Sequence, residues 1–308
     1  MLKHDSPRIL SLGVLNLDFV MELGNEMIGK KKMGRQISIN AGGHGSSQAI
    51  AAVRCGVPTA LIGKVGDDAF GQQIQCTLEK EHVDCRFLTH VPNVHSGLAT
   101  IIIEDHTDNT FIDFLGANYE LTNEDIDHCK DAICQADLVM IHMGPAIMDV
   151  ATHMIELANE CHTPVLVTPS VMTADVPLHF WKKVDYLAMN LAQAAAISGL
   201  SGENAKTARI SASILSNQVR QGVVVHMDGA GVLVAEKGTM SLMDTCFSGE
   251  ILDYSGATSF FTGVLAAELV KNSSIQEAAI KAHRAALLCM GKVGVYTSFP
   301  SAEVLKTL

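Results

Sequence analysis

The chain has 308 residues, of which 48% are hydrophobic and 18% are charged. This composition excludes wholesale disorder and predicts a well-buried globule with the length of one large or two ordinary domains. There are 22 basic and 33 acidic side chains, which give a formal net charge of −11. Nucleic acid is therefore not expected as a partner, because its phosphate backbone would be repelled.

Membrane and secretion signals are weak. The apolar stretch 9–21 is interrupted by Asn16 and Asp18 and is followed by no small-residue cleavage site, so we expect no signal peptide. No apolar run reaches the roughly 18 residues of a membrane-spanning helix, and no membrane partner is expected. The eight cysteines form no CxxC pair, which favours reduced thiols and a cytoplasmic location over a zinc knuckle or a disulfide framework. They are Cys55, Cys76, Cys85, Cys129, Cys134, Cys161, Cys246 and Cys289.

Short apolar runs typical of buried strands alternate along the chain with amphipathic segments of helical length. The predicted strands are 9–14, 59–65, 138–142, 165–168, 186–189 and 222–227. The predicted helices are 45–54, 70–81, 150–160 and 258–270. This alternation indicates βαβ units and hence an α/β fold, with a doubly wound, mainly parallel sheet sandwiched by helices.

Two stretches, 18–39 and 96–114, interrupt this alternation. In the second, the apolar runs 98–103 and 110–114 flank the polar turn 105–109, as in a β-hairpin. No linker precedes either stretch, so we predict a single domain over residues 1–308 in which both form a small β-sheet that covers a pocket. The unpaired edges of such a sheet favour pairing with a second copy of the chain.

Three common motifs are incomplete. The GHG of residues 43–45 lacks the third glycine of a dinucleotide fingerprint, because Gln48 stands there. The GK of residues 63–64 has no upstream glycine at P-loop spacing and is followed by Val65. The 13 histidines form no HExxH pair, and His142, at the end of an apolar run, is interpreted as a core or strand-end residue.

Three other segments indicate ligand binding. Asp18 belongs to LNLD at 15–18, which we interpret as the end of a strand, and NAGGHGSSQA at 40–49 then opens a helix. A carboxylate at a strand end can accept hydrogen bonds from hydroxyl groups, and adjacent glycines let a ligand approach backbone amides. The third segment, DYSGATSF at 253–260, leads into a helix whose N-terminal amides form an anion site.

In order and spacing, these segments resemble the ribokinase-like (PfkB) carbohydrate kinases over nearly the whole chain. The segments GDDAFG at 66–71, GAN at 116–118 and NLAQ at 190–193 add to the resemblance. It implies a doubly wound α/β fold with a β-sheet lid. It also implies phosphoryl transfer from ATP, with Mg²⁺, to a hydroxymethyl group of a sugar or nucleoside.

The resemblance assigns roles to individual residues. It implies acceptor binding by Asn16, Asp18, Gly43 and Asn118, with His44 and Ser47 standing where ribokinases usually have lysine and asparagine. It implies an anion hole at Gly256 and Ala257, a nucleotide site at Asn190, Asp228, Gly229 and Gly231, and a monovalent cation such as K⁺ at Asp253. From the residues alone, each polar position is equally compatible with an Asx turn or a helix cap.

The phosphoryl end of the pattern departs from the family. Ser259 stands where the GAGD motif has its catalytic aspartate, and a serine with no histidine in the local sequence is no general base. Thr258 replaces the second glycine of that motif. Gln193 replaces the glutamate of the magnesium motif NxxE, and a neutral amide holds a hydrated cation weakly. Asp228, at a glycine position, brings a carboxylate to the phosphates of ATP.

These departures leave several functions open. The first is a kinase homologue with impaired transfer, since losing a positioned base costs a factor of about 10² to 10⁴. The second is a non-catalytic sugar- or nucleoside-binding regulatory protein on the same fold. The third is an oligomerising scaffold. A shifted register, or a base supplied by Asp253 or a water-bridged carboxylate, would make the chain an ordinary sugar kinase.

Overall fold

The computed structural model describes residues 6–28, 31–103, 110–243 and 249–308. The strands are β1 Ile9–Leu12, β2 Asn16–Ile28, β3 Lys31–Gly42, β4 Thr59–Gly66, β5 Asp84–Val91, β6 Gly97–Ile103, β7 Thr110–Phe114, β8 Leu138–Met143, β9 Val165–Pro169, β10 Tyr186–Met189, β11 Gly222–His226, β12 Val232–Glu236 and β13 Thr239–Met243. The helices are α1 His44–Arg54, α2 Ala69–Lys80, α3 Asn123–Asp127, α4 Lys130–Gln135, α5 Met148–Glu160, α6 Leu191–Ser198, α7 Ala205–Ser216, α8 Ala257–Val270, α9 Ile275–Met290 and α10 Ala302–Leu305.

The main sheet has the strand order β13-β12-β11-β10-β9-β8-β1-β4-β5 within the described residues. Strands β11 to β5 in this order run parallel, and β12 and β13 continue the sheet as antiparallel strands. One face packs against α1, α2, α8 and α9, and the other against α3 to α7. Because helices cover both faces, central strands such as β1, β8 and β9 are buried along their whole length and mainly apolar. The predicted doubly wound α/β fold is confirmed.

A second, smaller sheet has the order β3-β2-β6-β7. Strands β2 and β6 are parallel, whereas β3 and β7 pair antiparallel at the two edges. The predicted pairing of 98–103 with 110–114 is confirmed by β6 and β7, while the predicted turn 105–109 lies outside the described residues. No helix in the described ranges is long and apolar enough to cross a membrane.

The position of Asp18 differs from the sequence interpretation. Strand β1 ends at Leu12, and Asp18 lies near the start of β2 in the small sheet, so its placement at the end of a main-sheet strand was wrong. The cause is a close approach at Gly13, where a Cβ would lie 2.7 Å from the backbone nitrogen of Gly45. At Gly13 the chain lies against the start of α1, and it then continues into the small sheet.

Helices α1 and α8 cross tightly at Gly263, where a Cβ would lie 2.3 Å from the carbonyl oxygen of Gln48 and 2.6 Å from Cβ of Ala51. Gly263→Ala is expected to lower the free energy of unfolding by about 1–3 kcal/mol, because the added methyl overpacks the crossing. Urea unfolding measures the loss. Gly291→Ala is the control, since the nearest atoms would lie 3.8 Å away. Equal stability of the two variants would contradict the tight crossing.

Two cysteines are paired in the structure. Cys134 in α4 forms a disulfide with Cys161, the C-cap residue that follows α5, and their Cα atoms are 4.8 Å apart. The prediction of reduced thiols is therefore wrong for this pair, whose sequence separation of 27 residues matches no motif. The packing of α4 on α5 brings the two residues together. The other described cysteines, Cys55, Cys76, Cys85, Cys129 and Cys289, are free.

Candidate functional site

A cavity of about 170 Å³, called the first pocket below, lies between the small sheet and the first turns of α1 and α8. The small sheet contributes Asn16, Asp18, Ala99, Ile101, Phe111 and Asp113. The rest of the lining is Val14, Gly43, His44, Ser47, Leu115, Ser255, Gly256, Ser259 and Val295. The structure therefore brings most of the acceptor-binding residues that the sequence predicted to one cavity, together with Gly256 and Ser259.

Two carboxylates face this pocket from one row of the small sheet. Asp18 is in register with Ala99, and Ala99 with Asp113, so the three side chains stand on the same face across three strands. Asp18 is only 4% exposed, and burial, followed by the negative charge of Asp113, raises its pKa to about 7. Burial also raises the pKa of Asp113 above its usual value. No local motif indicated that Asp113 belongs to the site.

Two adjacent glycines make room for the Asp18 side chain and for the start of α1. A Cβ on Gly42 would lie 1.9 Å from Oδ2 of Asp18, so the carboxylate occupies the space above Gly42. Gly43 has a φ of 82°, and a Cβ there would lie 2.4 Å from the carbonyl oxygen of Val14. Only glycine meets both conditions at these positions.

Ser259, in the first turn of α8, contacts a histidine. Its Oγ lies 2.7 Å from Nδ1 of His44, whose ring stacks on His142 with ring centroids 3.5 Å apart. Burial lowers the pKa of His44 to about 4, and burial together with the neighbouring His44 holds the pKa of His142 well below its usual value. Both rings are therefore neutral at pH 7. No local pattern predicts this contact, because 215 residues separate Ser259 from His44.

His142 is a buried residue of β8, as the sequence suggested, but it is not fully satisfied. Its Nδ1 has no hydrogen-bond partner in the part of the chain that the structure describes. Its ring serves as the surface on which His44 stacks. His142 thus helps to position the His44 ring beside Ser259.

Asn118 lies behind the first pocket and does not line it. Its Oδ1 accepts a hydrogen bond from the Leu15 amide at 2.7 Å, and its Nδ2 donates to the carbonyl oxygens of Leu15 at 2.9 Å and Leu115 at 2.7 Å. Nδ2 also lies 3.2 Å from Oδ1 of Asn16. Asn118 therefore holds the segment that carries Asn16, and its contacts are with protein atoms.

A larger cavity of about 390 Å³, the second pocket, lies at the carboxyl ends of β10 and β11. It is lined by Asn190, Leu191, Ala192, Glu203, His226, Asp228, Tyr254, Thr258 and Met290. As far as the structure describes the chain, this lining includes two carboxylates and no lysine or arginine. Burial and then the charge of Glu203 raise the pKa of Asp228. Asp228 has a φ of 49°, the left-handed conformation that favours glycine.

Thr258 connects the second pocket to the start of α8. Its Oγ1 accepts a hydrogen bond from Nδ2 of Asn190 at 3.3 Å and lies 2.9 Å from Nε2 of His226. Burial lowers the pKa of His226 to about 3, with a smaller effect of His283, so the ring is neutral at pH 7. The Thr258 side chain thus connects the ends of β10 and β11 to the first turn of α8 by hydrogen bonds.

Asn190 and Gln193 form a capping box at the start of α6. Oδ1 of Asn190 accepts from the Gln193 amide, and Oε1 of Gln193 accepts from the Asn190 amide, each at 2.9 Å. Gln193 does not line the second pocket. The magnesium motif has a glutamate carboxylate at this position. The side-chain oxygen of Gln193, which stands there instead, accepts a hydrogen bond within the helix cap.

The turn before α8 is held by Asp253. Its Oδ1 accepts from the Ser255 amide at 2.9 Å, and its Oδ2 from the Gly294 amide at 2.8 Å. Gly256, at the N-cap of α8, has a φ of 75°, and the helix has no side-chain cap. The amides of this first turn, which begins at the buried Ala257, therefore carry the partial positive charge of the helix N-terminus.

Gly229 and Gly231 shape the turn beside the second pocket without lining it. Gly229 lies within the short turn Asp228–Ala230, and Gly231, with a φ of 104°, leads from that turn into β12. Of the residues predicted to bind nucleotide in this segment, Asp228 therefore lines the cavity, whereas Gly229 and Gly231 do not.

A doubly wound main sheet, a small sheet over one pocket and a second pocket at the start of the same helix together define a ribokinase-like fold. The structure of ribokinase from Giardia lamblia matches with a TM-score of 0.84 and 22% identity, covering 98% of this chain and 99% of that one. The ribokinase of Arabidopsis thaliana, complexed with ribose and ATP, matches with a TM-score of 0.83 and 20% identity, covering 98% of both chains.

The family model for the pfkB family of carbohydrate kinases matches residues 6–302, so the chain belongs to this family. The predicted resemblance is confirmed. A deoxyribokinase of Salmonella typhi is 25% identical over 265 residues, which cover 86% of each chain. A ribokinase of Dictyostelium discoideum is 26% identical over 293 residues, which cover 90% of this chain and 92% of that protein.

Proposed function

We propose that this chain binds a sugar- or nucleoside-like ligand in the first pocket and that its ATP-dependent phosphoryl transfer is impaired. The observation that carries the proposal is Ser259, whose Oγ is paired with the neutral ring of His44 at the start of α8. The helices contribute no carboxylate to the pocket lining, since Asp18 and Asp113 belong to the small sheet. The acceptor hydroxyl therefore has no anionic base at the anion hole formed by Gly256 and Ala257.

The second pocket supports the same proposal. A nucleoside triphosphate carries several negative charges, and the lining there adds Glu203 and Asp228 without a compensating lysine or arginine. Gln193 supplies no magnesium ligand, because its side-chain oxygen caps α6. Each oxygen of Asp253 accepts one hydrogen bond from a backbone amide and keeps a second lone pair, so Asp253 remains the candidate ligand for K⁺. The residues present therefore fit ATP with Mg²⁺ poorly.

The remaining parts of the proposal concern organisation. The small sheet acts as a lid on a single domain over residues 1–308. The cytoplasmic location is proposed on the free cysteines of the described residues, whereas the Cys134–Cys161 disulfide does not support it. The face of the small sheet opposite Asp18 exposes Ile37, Ile112 and Phe114, each by half or more. An apolar sheet face of this kind favours a homodimer formed through the lids. A non-catalytic regulatory role, in which lid closure on the ligand is recognised by a partner, is the second candidate because the acceptor end alone is intact.

Thermal unfolding with candidate ligands tests the proposal. ATP with Mg²⁺, ADP, pentoses, hexoses and nucleosides are added singly and in pairs. A ligand at about 100 times its Kd stabilises the folded state by about 2.7 kcal/mol, so an acceptor alone is expected to raise the Tm by several degrees. ATP with Mg²⁺ is expected to add little. A large additional shift with ATP and Mg²⁺ would contradict the impaired nucleotide site.

Removing the carboxylate of Asp228 is expected to strengthen ATP binding. Asp228→Gly removes both the charge and the side chain at a left-handed φ of 49°, and Asp228→Asn removes the charge alone. Relief of repulsion predicts about a tenfold lower Kd for ATP with Mg²⁺ in both variants. Isothermal titration calorimetry measures the Kd. A gain in Asp228→Gly alone would assign the effect to space near the phosphates, and unchanged affinity in both would refute the electrostatic argument.

A further inference from the structure

The first pocket has an unbalanced charge. Among the described residues, its lining includes the carboxylates of Asp18 and Asp113 and no lysine or arginine. His44, a histidine of this lining, is neutral at pH 7 because burial lowers its pKa to about 4. A small cavity of about 170 Å³ thus holds two acidic groups without a cation from the described part of its lining.

The Asp18 carboxylate has no partner in the described ranges of the chain. The side chain is 4% exposed, and among the described residues no hydrogen bond or ion pair involves either oxygen. Its surroundings are instead the backbone of Gly42 on one side and the open pocket on the other. Burying an ionised carboxylate without a partner is strongly unfavourable, so the group needs a proton or a cation from the pocket.

The sheet register sets the two carboxylates at a defined spacing. Asp18, Ala99 and Asp113 occupy one row on three adjacent strands. Neighbouring strands lie about 4.8 Å apart, so the Cα atoms of the two aspartates are roughly 10 Å apart. The residue between them is alanine, whose methyl group leaves the space over the row open. A compact group placed over Ala99 lies within reach of both carboxylates.

We infer that the first pocket binds a small ligand carrying a protonated amino group as well as hydroxyl groups. The ammonium group lies over Ala99 between Asp18 and Asp113. The hydroxyl groups face Asn16 and the start of α8. This inference rests on the proposed function for the place of the ligand, and it adds the chemical class: an amino sugar or an amino polyol in preference to a neutral polyol.

The chemistry of the pocket supports this class. An ammonium group has three donors and no acceptor, and its hydrogen bonds to carboxylates are about twice as strong as those between neutral groups. A neutral polyol can donate to Asp18 but brings no positive charge to the space between the two carboxyl groups. The side chains of Ile101 and Phe111, which stand on the same sheet face, provide an apolar surface for a carbon skeleton.

The test compares matched ligands that differ by one group. Isothermal titration calorimetry is run with D-glucose and D-glucosamine, D-galactose and D-galactosamine, and ribitol and 1-amino-1-deoxyribitol. At least one amino member is expected to bind about tenfold more tightly than its hydroxyl counterpart. In Asp113→Asn, which keeps the shape of the side chain but removes its charge, this preference is expected to fall to about threefold or less. Circular dichroism verifies that the variant is folded.

The outcomes are distinct. Equal or weaker binding of the amino member in every pair, including no binding at all, overturns the inference. Binding of Mg²⁺ or Ca²⁺ alone that Asp113→Asn abolishes also overturns it, because the two carboxylates would then form a metal site. Transfer from ATP is measured separately, by release of ADP. Rapid transfer to an amino ligand would refute the proposed impairment but agree with the inferred ligand class. Slow transfer to neutral sugars alone would agree with the impairment but refute the ligand class.

Discussion

Ser259→Asp is expected to raise the rate of ATP-dependent phosphoryl transfer to the bound acceptor by a factor of about 10² to 10⁴. The substitution places a carboxylate in the first turn of α8, beside the pocket and next to the anion hole at Gly256. A carboxylate is also favoured there by the partial positive charge of the helix N-terminus. The ring of His44, 2.7 Å from the present hydroxyl, can donate to the new carboxylate and orient it. Release of ADP under saturating acceptor measures the effect.

Ser259→Asn is the matched control, because asparagine has the size of aspartate but cannot accept the proton of the acceptor hydroxyl. We expect it to remain as slow as the parent chain. A parent rate equal to that of Ser259→Asp would show that another group already acts as the base, which would overturn the proposed impairment. Equal inactivity of all three proteins would show that the defect lies at the nucleotide end, where Asp228→Gly should then be combined with Ser259→Asp.

Much of the main sheet was predictable because its strands are buried on both faces. Runs such as Leu138–Met143 and Gly222–His226 are apolar apart from one histidine each, and such runs bounded by polar turns predict strands without knowledge of their partners. The small sheet was harder to predict at its start. Strand β2 begins at Asn16, only four residues after β1 ends at Leu12, and the close approach of Gly13 to Gly45 that separates them is a tertiary contact.

The candidate site was predictable where a local motif carried it. The glycines of 42–43 and the turn at 253–256 were recognised from their own residues. The contact of Ser259 with His44 and the row that joins Asp18 to Asp113 depend on strand register and helix crossing, which no local pattern encodes. Asn190 and Gln193 show the opposite case. Their residue types permitted both a magnesium motif and a helix cap, and the geometry is that of a capping box.

Asp18→Asn is expected to stabilise the fold at high pH while it weakens ligand binding. The pKa of Asp18 is about 7 in the folded chain against 3.8 for the ordinary group, so the folded state holds the proton more tightly than the unfolded state. The contribution of protonated Asp18 to the free energy of unfolding is therefore fully present at low pH and is lost as the pH rises through 7. The full difference corresponds to about 4 kcal/mol, and we expect the variant to recover about 2–4 kcal/mol above pH 8.

Urea unfolding at about pH 4 and about pH 8 measures this gain, which should be large at the higher pH and close to zero at the lower one. Asp131→Asn, at an exposed position of α4, is the control and should change stability by less than about 0.5 kcal/mol at either pH. Unchanged or reduced stability of Asp18→Asn at high pH would show that Asp18 has a stabilising partner. Asp18 lowers stability when it ionises, so the stability of the fold does not explain why a carboxylate is buried at this position. A ligand that donates hydrogen bonds or positive charge to it supplies an explanation, because binding then removes the same penalty that the substitution removes.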